Sequence, residues 1–255
     1  RLTAPSLGPN VRERLATGWR IVAATTEEVP PVPDRTEDVT VEAGPMRLGG
    51  RLALPADASG VVLFAHGSGS SRHSPRNQYV ADLLHLAGLG TLLFDLLTVT
   101  EERERSNVFD VELLAGRLLA ATRWLRARPD VGGLPIGYFG ASTGAAAALW
   151  SAAEPDAGVA AVVSRGGRPD LANPRLHAVT APTLLIVGER DHVVLDLNRR
   201  AQAELRCESR LVVIPGATHL FEEPGTLRAA AVAARDWFLD HVIGTDEADR
   251  DLRLS

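Results

Sequence analysis

The feature that most constrains the fold is an alternation of short apolar runs with segments of helical spacing. Runs of this kind are typical of strands buried on both faces of a parallel sheet. Six of them span residues 61–65, 91–94, 136–139, 159–163, 183–187 and 211–214. Apolar positions recur at helical spacing in residues 75–87, 108–127, 143–153, 193–205 and 225–242. The order predicts an α/β fold, a three-layer sandwich built on a mostly parallel sheet.

The two ends of the chain follow other patterns. Residues 1–38 are rich in proline, threonine and charge, and they are predicted to form an extension or linker. Two alternating stretches, 39–42 and 46–54, predict an antiparallel hairpin at the sheet edge. We expect one domain over residues 39–243, followed by a tail at 244–255. Because only residues 164–182 separate two of the strands, no large cap domain is expected.

Charge and hydropathy limit the partners. The chain of 255 residues has 27 basic and 32 acidic side chains, a formal net charge of −5, and this offers no basic surface for nucleic acid. No apolar run approaches the ~20 residues that a membrane helix needs. We therefore expect no nucleic acid and no membrane partner. A cytoplasmic location is predicted, and the oligomeric state is left open.

Two residue types limit the chemistry. All 27 basic residues are arginine, so the lysines of a Walker phosphate loop, a pyridoxal Schiff base or a Tyr-x-x-x-Lys pair are missing. Cys207 is the single cysteine, which excludes a disulfide framework and a C-x-x-C pair. No histidine pair has the spacing of an H-E-x-x-H site, so no metal and no cofactor are expected.

Gly140-Ala141-Ser142-Thr143-Gly144 lies between a predicted strand and a predicted helix, as a nucleophile elbow does. Such a turn exposes the serine hydroxyl, and glycines remove side chains that would collide. Ser142 is the candidate nucleophile, and the Thr143 N–H at the helix start is the candidate first oxyanion donor. The alternatives are a glycine turn with an incidental serine, or a dinucleotide-binding turn, although the motif lies in mid-chain.

The loop His66-Gly67-Ser68-Gly69-Ser70-Ser71 follows the strand at 61–65 and reaches the same sheet edge. A backbone N–H there, that of Ser68, is the candidate second oxyanion donor. His66 is predicted to brace the loop, with a direct catalytic role as the alternative.

A serine nucleophile requires a base and an acid that orients the base. Asp191 follows the strand at 183–187, His219 follows the strand at 211–214, and both loops lie at the carboxyl edge of the sheet. The chain order of Ser142, Asp191 and His219 is the one expected for this architecture. We predict His219 as the base and Asp191 as its orienting acid.

Other assignments stay open for these positions. Asp191 could instead cap the helix predicted to start at Val193. Asp170 and Glu189 are rival acids, and His192 is a rival base that is poorly placed because it adjoins the acid.

Three arginines are candidate substrate-binding residues. Arg72, Arg165 and Arg168 are predicted to fall in loops at the active edge, where they could hold a substrate carboxylate through bidentate hydrogen bonds. Ordinary surface ion pairing is the favoured alternative.

The elbow, the His-Gly loop, Asp191 and His219 together resemble the α/β-hydrolase superfamily over residues 39–243, and specifically its dienelactone-hydrolase-like branch. The resemblance implies an esterase or lactonase that works through an acyl-enzyme. Dienelactone hydrolases proper use cysteine at the elbow, whereas this chain has Ser142, so dienelactone itself is not the expected substrate. The chain also resembles a hydrolase module attached to phosphoribosyltransferase domains in some bacterial proteins.

The sequence thus predicts a serine hydrolase whose partner is a small ester or lactone, with water as the second substrate. Two alternatives use the same fold: a catalytically inert binding protein for a small molecule, and an acyltransferase with the same three side chains.

Overall fold

Eight strands form one sheet in the computed structural model, which describes residues 35–243. They are β1 (Arg35–Ala43), β2 (Met46–Leu54), β3 (Val61–Ala65), β4 (Gly90–Phe94), β5 (Ile136–Ala141), β6 (Ala161–Arg165), β7 (Thr183–Gly188) and β8 (Ser209–Ile214). Their spatial order is β1-β2-β4-β3-β5-β6-β7-β8. β1 and β2 pair antiparallel, as do β2 and β4, and all later pairs are parallel.

Six α-helices accompany the sheet in this part of the chain. They are α1 (Pro75–Leu86), α2 (Arg105–Phe109), α3 (Val111–Arg126), α4 (Thr143–Ala152), α5 (His192–Glu204) and α6 (Thr226–Phe238). Short 3₁₀ segments span Glu101–Arg103 and Pro169–Ala178, and a π turn spans Leu239–Ile243. Within residues 35–243, no helix combines the length and the apolar character needed to cross a bilayer.

The core divides into two layers, one on each face of the sheet. Along β3, Leu63 faces the layer that contains buried residues of α3, α4 and α5. Its neighbours Val62 and Phe64 face the other layer, which contains buried residues of α1 and α6. Because side chains alternate between the faces, a strand covered on both sides must be apolar throughout. The predicted three-layer α/β sandwich is confirmed.

Several element boundaries differ from the predicted ones, among them the following three. β1 begins at Arg35, so the hairpin takes in residues that were predicted to belong to the extension. β6 lies two residues later than the apolar run at 159–163, because buried Ser164 and Arg165 continue its pairing with β7. The helix predicted at 108–127 is interrupted at Asp110, whose side chain accepts a hydrogen bond from Leu113 N and caps α3.

The topology places the site. Parallel strands connected by right-handed crossovers bring their carboxyl ends to one edge of the sheet. The loops after β3, β5, β7 and β8 therefore meet there, and between β6 and β7 the chain forms only the segment at Pro169–Ala178 rather than a large cap. The predicted tail at 244–255 and the part of the predicted extension before Arg35 lie outside the described residues.

Candidate active site

Ser142 lies on a sharp turn between β5 and α4. Its φ of 52° and ψ of −120° are an unfavourable backbone combination for a residue with a side chain. Hydrogen bonds hold the turn: Ser142 N donates to Arg165 O at 3.2 Å, and Arg168 N donates to Ser142 O at 3.1 Å. The neighbouring strand end thus keeps the serine in the geometry that a nucleophile elbow requires.

The elbow glycines are required by close packing. A Cβ on Gly144 would overlap the carbonyl oxygens of Ala65 and His66, and one on Gly140 would overlap the backbone of Ala145. Helix α4 can therefore cross directly behind β3 and β5 only where these two positions have no side chain. This arrangement agrees with the predicted reason for both glycines.

Asp191 and His219 come together across two adjacent loops. His219 Nδ1 lies 2.6 Å from Asp191 Oδ2, and the imidazole is partly exposed whereas the carboxylate is largely buried. A carboxylate oxygen is an acceptor, so the hydrogen-bonded Nδ1 carries the proton and Nε2 is left as the basic nitrogen. The pair thus has the geometry of a base with its orienting acid.

Backbone bonds join the acid loop to the base loop. Arg190 N donates to Ala217 O at 2.9 Å, and Glu189 Oε2 accepts from Gly216 N at 2.7 Å. Thr218 N donates to Glu223 Oε2 at 3.1 Å, and hydrogen bonding by the Thr218 side chain together with this backbone bond lowers the pKa of the Glu223 carboxyl. Glu189 therefore supports the base loop and does not hold the imidazole. This supporting function was not predicted from the sequence, although the Pro-Gly turn that Glu189 contacts is a local signal for a loop that needs such support.

The alternatives for the acid and the base can be compared with these contacts. Asp191 precedes α5 but its side chain makes no capping hydrogen bond, so capping does not explain it. Asp170 forms two hydrogen bonds with Arg168, at 2.8 and 2.7 Å. His219 contacts the Asp191 carboxylate, whereas the rival base His192 is the first residue of α5.

Gly166 lies between the nucleophile and the base. It follows Arg165, whose carbonyl accepts the Ser142 amide, and a Cβ built on it would lie 3.6 Å from Nδ1 of His219. One peptide segment thus contacts both the Ser142 backbone and the His219 ring. In this conformation no hydrogen bond joins Ser142 Oγ to the imidazole. Such bonds are often long in ligand-free enzymes and tighten in the substrate complex.

His66 braces the loop that leaves β3. Its Nε2 accepts from Leu96 N at 3.0 Å, and its Nδ1 lies 3.0 Å from Gly67 O. Since a carbonyl can only accept, Nδ1 carries the proton and the ring is the neutral tautomer. Both ring nitrogens are occupied and the side chain is buried. These contacts match the predicted bracing role.

The Ser68 amide has a partner that the sequence did not predict. It donates to Thr143 Oγ1 at 2.9 Å, so the loop after β3 is joined to the first residue of α4. The Thr143 amide stands at the N1 position, where a helix offers it no acceptor. In this conformation the Thr143 amide is thus available to an oxyanion, whereas the Ser68 amide is already bonded.

Two of the three candidate substrate-binding arginines are paired internally. Arg72 binds Asp95 through its backbone amide at 2.8 Å and through its guanidinium. Arg168 binds Asp170 in a bidentate pair. The alternative of ion pairing, rather than a substrate carboxylate, describes both arginines in this structure.

Arg165 differs from the other two because it is buried among aromatic rings. Its guanidinium lies 5.7 Å from the Phe139 ring and 5.9 Å from the Phe221 ring, and it donates to Asn77 Oδ1 at 3.3 Å. Burial, with a smaller contribution from Arg76, lowers the pKa of Arg165 to about 10. The buried NH1 group has no partner among the described residues, so Arg165 is a packed cation behind the base loop.

A cavity of about 410 Å³ lies beside the oxyanion loop. Its wall combines apolar side chains of Leu96, Leu97, Val108 and Leu114 with hydroxyl groups and the Glu102 carboxylate. Ser68 and Thr143 both line it, so it is continuous with the candidate oxyanion site. Its volume lies within the range typical of small-molecule sites.

Comparison with known proteins identifies the family. Residues 93–242, more than half of the chain, match the model of the dienelactone hydrolase family. The chain belongs to the dienelactone hydrolase family. A solved dienelactone hydrolase from Anabaena variabilis is 55% identical, and the match covers 82% of this chain and 98% of that one with a TM-score of 0.79.

Two further proteins that resemble this chain differ from it in length or in sequence. A Mycobacterium tuberculosis protein named "Putative phosphoribosyl transferase" is 63% identical over 212 residues, which are 83% of this chain and 48% of that protein. The chain thus spans about half the length of this curated relative. Est1E from Butyrivibrio proteoclasticus shares the fold, with a TM-score of 0.69, 15% identity, and coverage of 80% of this chain and 98% of that one. Family membership indicates a hydrolase, and Est1E shows that the fold is shared more widely.

Proposed function

We propose that the protein hydrolyses small carboxylic esters or lactones through an acyl-enzyme, with Ser142 as nucleophile, His219 as base and Asp191 as the orienting acid. The observation that carries the proposal is the 2.6 Å contact between His219 Nδ1 and Asp191 Oδ2, and the strained backbone of Ser142 at the elbow supports it. Family membership supports the reaction class. The proposal adds the substrate type and the role of each side chain.

The reaction follows from these roles. His219 Nε2 takes the Ser142 hydroxyl proton as Oγ bonds to the substrate carbonyl carbon, and the carbonyl electron pair moves onto oxygen. When the pair returns, the bond to the alcohol oxygen breaks, and that oxygen leaves with the proton from Nε2. A water molecule then repeats the attack, releases the acid and restores Ser142. Asp191 stabilises the imidazolium that forms in each half.

The cavity supports uncharged acyl groups. Its lining within the described residues includes one carboxylate, Glu102, and no arginine. Arg72 and Arg168, two of the three candidate substrate-binding arginines, are bound to Asp95 and Asp170. A substrate carboxylate in this cavity would be repelled by Glu102, and no arginine among the lining residues would offset the repulsion.

Covalent labelling tests the proposal. A fluorophosphonate should label the wild-type protein and the Ser106→Ala control, in which an exposed serine of α2 is removed, but should not label Ser142→Ala. In parallel, Ser142→Ala should lose nearly all turnover of short p-nitrophenyl esters and of a lactone. Binding without label would indicate an inert receptor, and ester products formed only with an added alcohol would indicate an acyltransferase. Either result would contradict the proposed hydrolysis.

A further inference from the structure

The hydrogen bond from Ser68 N to Thr143 Oγ1 affects which groups are free to donate to the substrate oxygen. Thr143 is 3% exposed, and its hydroxyl oxygen lies 2.9 Å from the Ser68 amide nitrogen, the predicted second donor to the substrate oxygen. Both residues line the 410 Å³ cavity. The predicted second donor, the Ser68 amide, is therefore not free, because it is hydrogen-bonded to the Thr143 hydroxyl.

The Thr143 hydroxyl still has its own proton to donate. A threonine hydroxyl has one donor and two acceptor positions, and the Ser68 amide uses only an acceptor position. Threonine in a helix often donates to the carbonyl three or four residues earlier. For Thr143 those carbonyls belong to Gly140 and Phe139 in β5, and no described residue accepts the hydroxyl proton.

We propose that the Thr143 hydroxyl is itself an oxyanion donor, which makes Thr143 a catalytic residue through both its O–H and its N–H. This inference rests on the proposed function. As Ser142 Oγ bonds to the carbonyl carbon, the oxygen that gains the electron pair accepts hydrogen bonds from both groups. No proton leaves Thr143, and the bonds weaken again when the alcohol oxygen departs.

Ser68 then acts as a positioning residue. By donating to Oγ1, its amide fixes the hydroxyl rotor with the proton directed away from Ser68 and increases the acidity of that proton. The neutral His66 ring braces the same loop through Gly67 O and Leu96 N, so the amide is held in place. A donor that is oriented before the reaction needs no reorganisation as charge develops.

The main competing explanation makes the opposite prediction. If the hydroxyl only blocks the Ser68 amide in the free protein, substrate must displace it, and removing it should leave turnover unchanged or faster. If the hydroxyl is the donor, removing it should slow the chemical step, because loss of one such donor typically lowers kcat by about 10² to 10³.

The test compares Thr143→Val and Thr143→Ser with the wild type on p-nitrophenyl butyrate. We expect Thr143→Val to lower kcat about 100-fold with little change in KM, and Thr143→Ser to stay within about fivefold of wild type. Phenylboronic acid, which forms a tetrahedral adduct with a serine nucleophile, should bind Thr143→Val more weakly by a similar factor. If Thr143→Val does not fold, as judged by its circular dichroism, the ratio of Thr143→Ser to Thr143→Ala serves instead.

The outcomes separate this inference from the proposed function. Turnover by Thr143→Val equal to or above that of wild type overturns the inference alone, provided that wild type is active and Ser142→Ala is not. Equal losses in the valine and serine variants also overturn it, because they indicate a packing role. A wild-type protein without turnover or label overturns both.

Discussion

At the scale of single residues, the site depends on histidine side chains whose tautomer is set by their hydrogen-bond partners. Asp191 holds the proton of His219 on Nδ1, and the Leu96 amide together with Gly67 O holds that of His66 on its own Nδ1. The sequence could predict Asp191 and His219, because each follows a strand end in the expected chain order. It could not predict that Arg165 is buried without a carboxylate partner, because that depends on how α1 and the base loop pack.

Replacing the acid tests the orienting role. Asp191→Asn should lower kcat by about 10³-fold or more, because an amide at this position favours the wrong imidazole tautomer. The matched control is Asp170→Asn, which removes a carboxylate bound to Arg168 and should stay within a few fold of wild type. Steady-state kinetics on one ester measure both. A larger loss of kcat in Asp170→Asn than in Asp191→Asn would indicate that Asp170 is the orienting acid.

His85 should make folding sensitive to acid. Burial, with a smaller contribution from Arg51, lowers the pKa of His85 to about 4, and its Nε2 lies 2.8 Å from Thr91 Oγ1. The unfolded chain then binds a proton below its ordinary pKa of 6.5 while the folded protein does not, so stability falls as the pH drops from 6.5 toward 4. The full effect is about 3 kcal/mol.

Urea denaturation at several pH values measures this effect. The difference in unfolding free energy between wild type and His85→Gln should shrink steadily below pH 6.5, because glutamine keeps a hydrogen-bonding group but does not titrate. If the difference in unfolding free energy stays constant down to pH 4.5, His85 takes up its proton in the folded protein as it does in the unfolded chain. Asp82, whose carboxylate lies 4.0 Å from Nδ1, would then stabilise the charged ring.

At the scale of elements, helix and strand type follow from the sequence more reliably than their ends. The apolar run at 159–163 shows where β6 is buried, but pairing with β7 decides that it continues to Arg165. The interruption before α3 is a capping event at Asp110, which apolar periodicity does not reveal. The junction between β5 and α4 is an exception, because the spacing of Gly140 and Gly144 around Ser142 is enough to indicate that the helix crosses closely there.

The elbow crossing can be tested with a pair of glycine substitutions. Gly144→Ala should cost several kcal/mol of stability or prevent folding, because the added methyl overlaps the Ala65 and His66 carbonyls. Gly116→Ala in α3 meets nothing within 4 Å and should stabilise by roughly 0.5 to 1 kcal/mol through helix propensity. Thermal unfolding of the two variants gives the comparison. Equal tolerance at both positions would mean that α4 does not cross β3 this closely.

At the scale of the whole molecule, the order of strands predicts which loops meet, and side-chain contacts decide what those loops do. Right-handed crossovers place the loops after β5, β7 and β8 at one edge, so three distant sequence positions converge. The link from Ser68 to Thr143 crosses from one loop to another and depends on a side-chain rotamer. No periodicity or motif in the chain reports such a contact.

The charge distribution gives a prediction about substrate choice. The protein has a net charge of −5, and the cavity wall includes Glu102. Wild type should prefer p-nitrophenyl butyrate to mono-p-nitrophenyl succinate, and Glu102→Gln should reduce that preference roughly fivefold, as expected for an interaction of about 1 kcal/mol at high dielectric. Glu104→Gln, which alters an acid outside the cavity lining, is the control. An equal effect of the two substitutions would indicate general repulsion rather than contact in the cavity.

The position of β8 has a consequence for heat resistance. Among the described strands, β8 is hydrogen-bonded to β7 alone, whereas β5 has neighbours on both sides. Fraying at that outer strand would carry His219 away while Ser142 remained anchored in the middle of the sheet. We therefore expect the hydrolytic rate to be lost several degrees below the melting transition seen by far-ultraviolet circular dichroism. A cross-link that holds β8 against β7 would then raise the temperature at which activity is lost and leave the catalytic side chains unchanged.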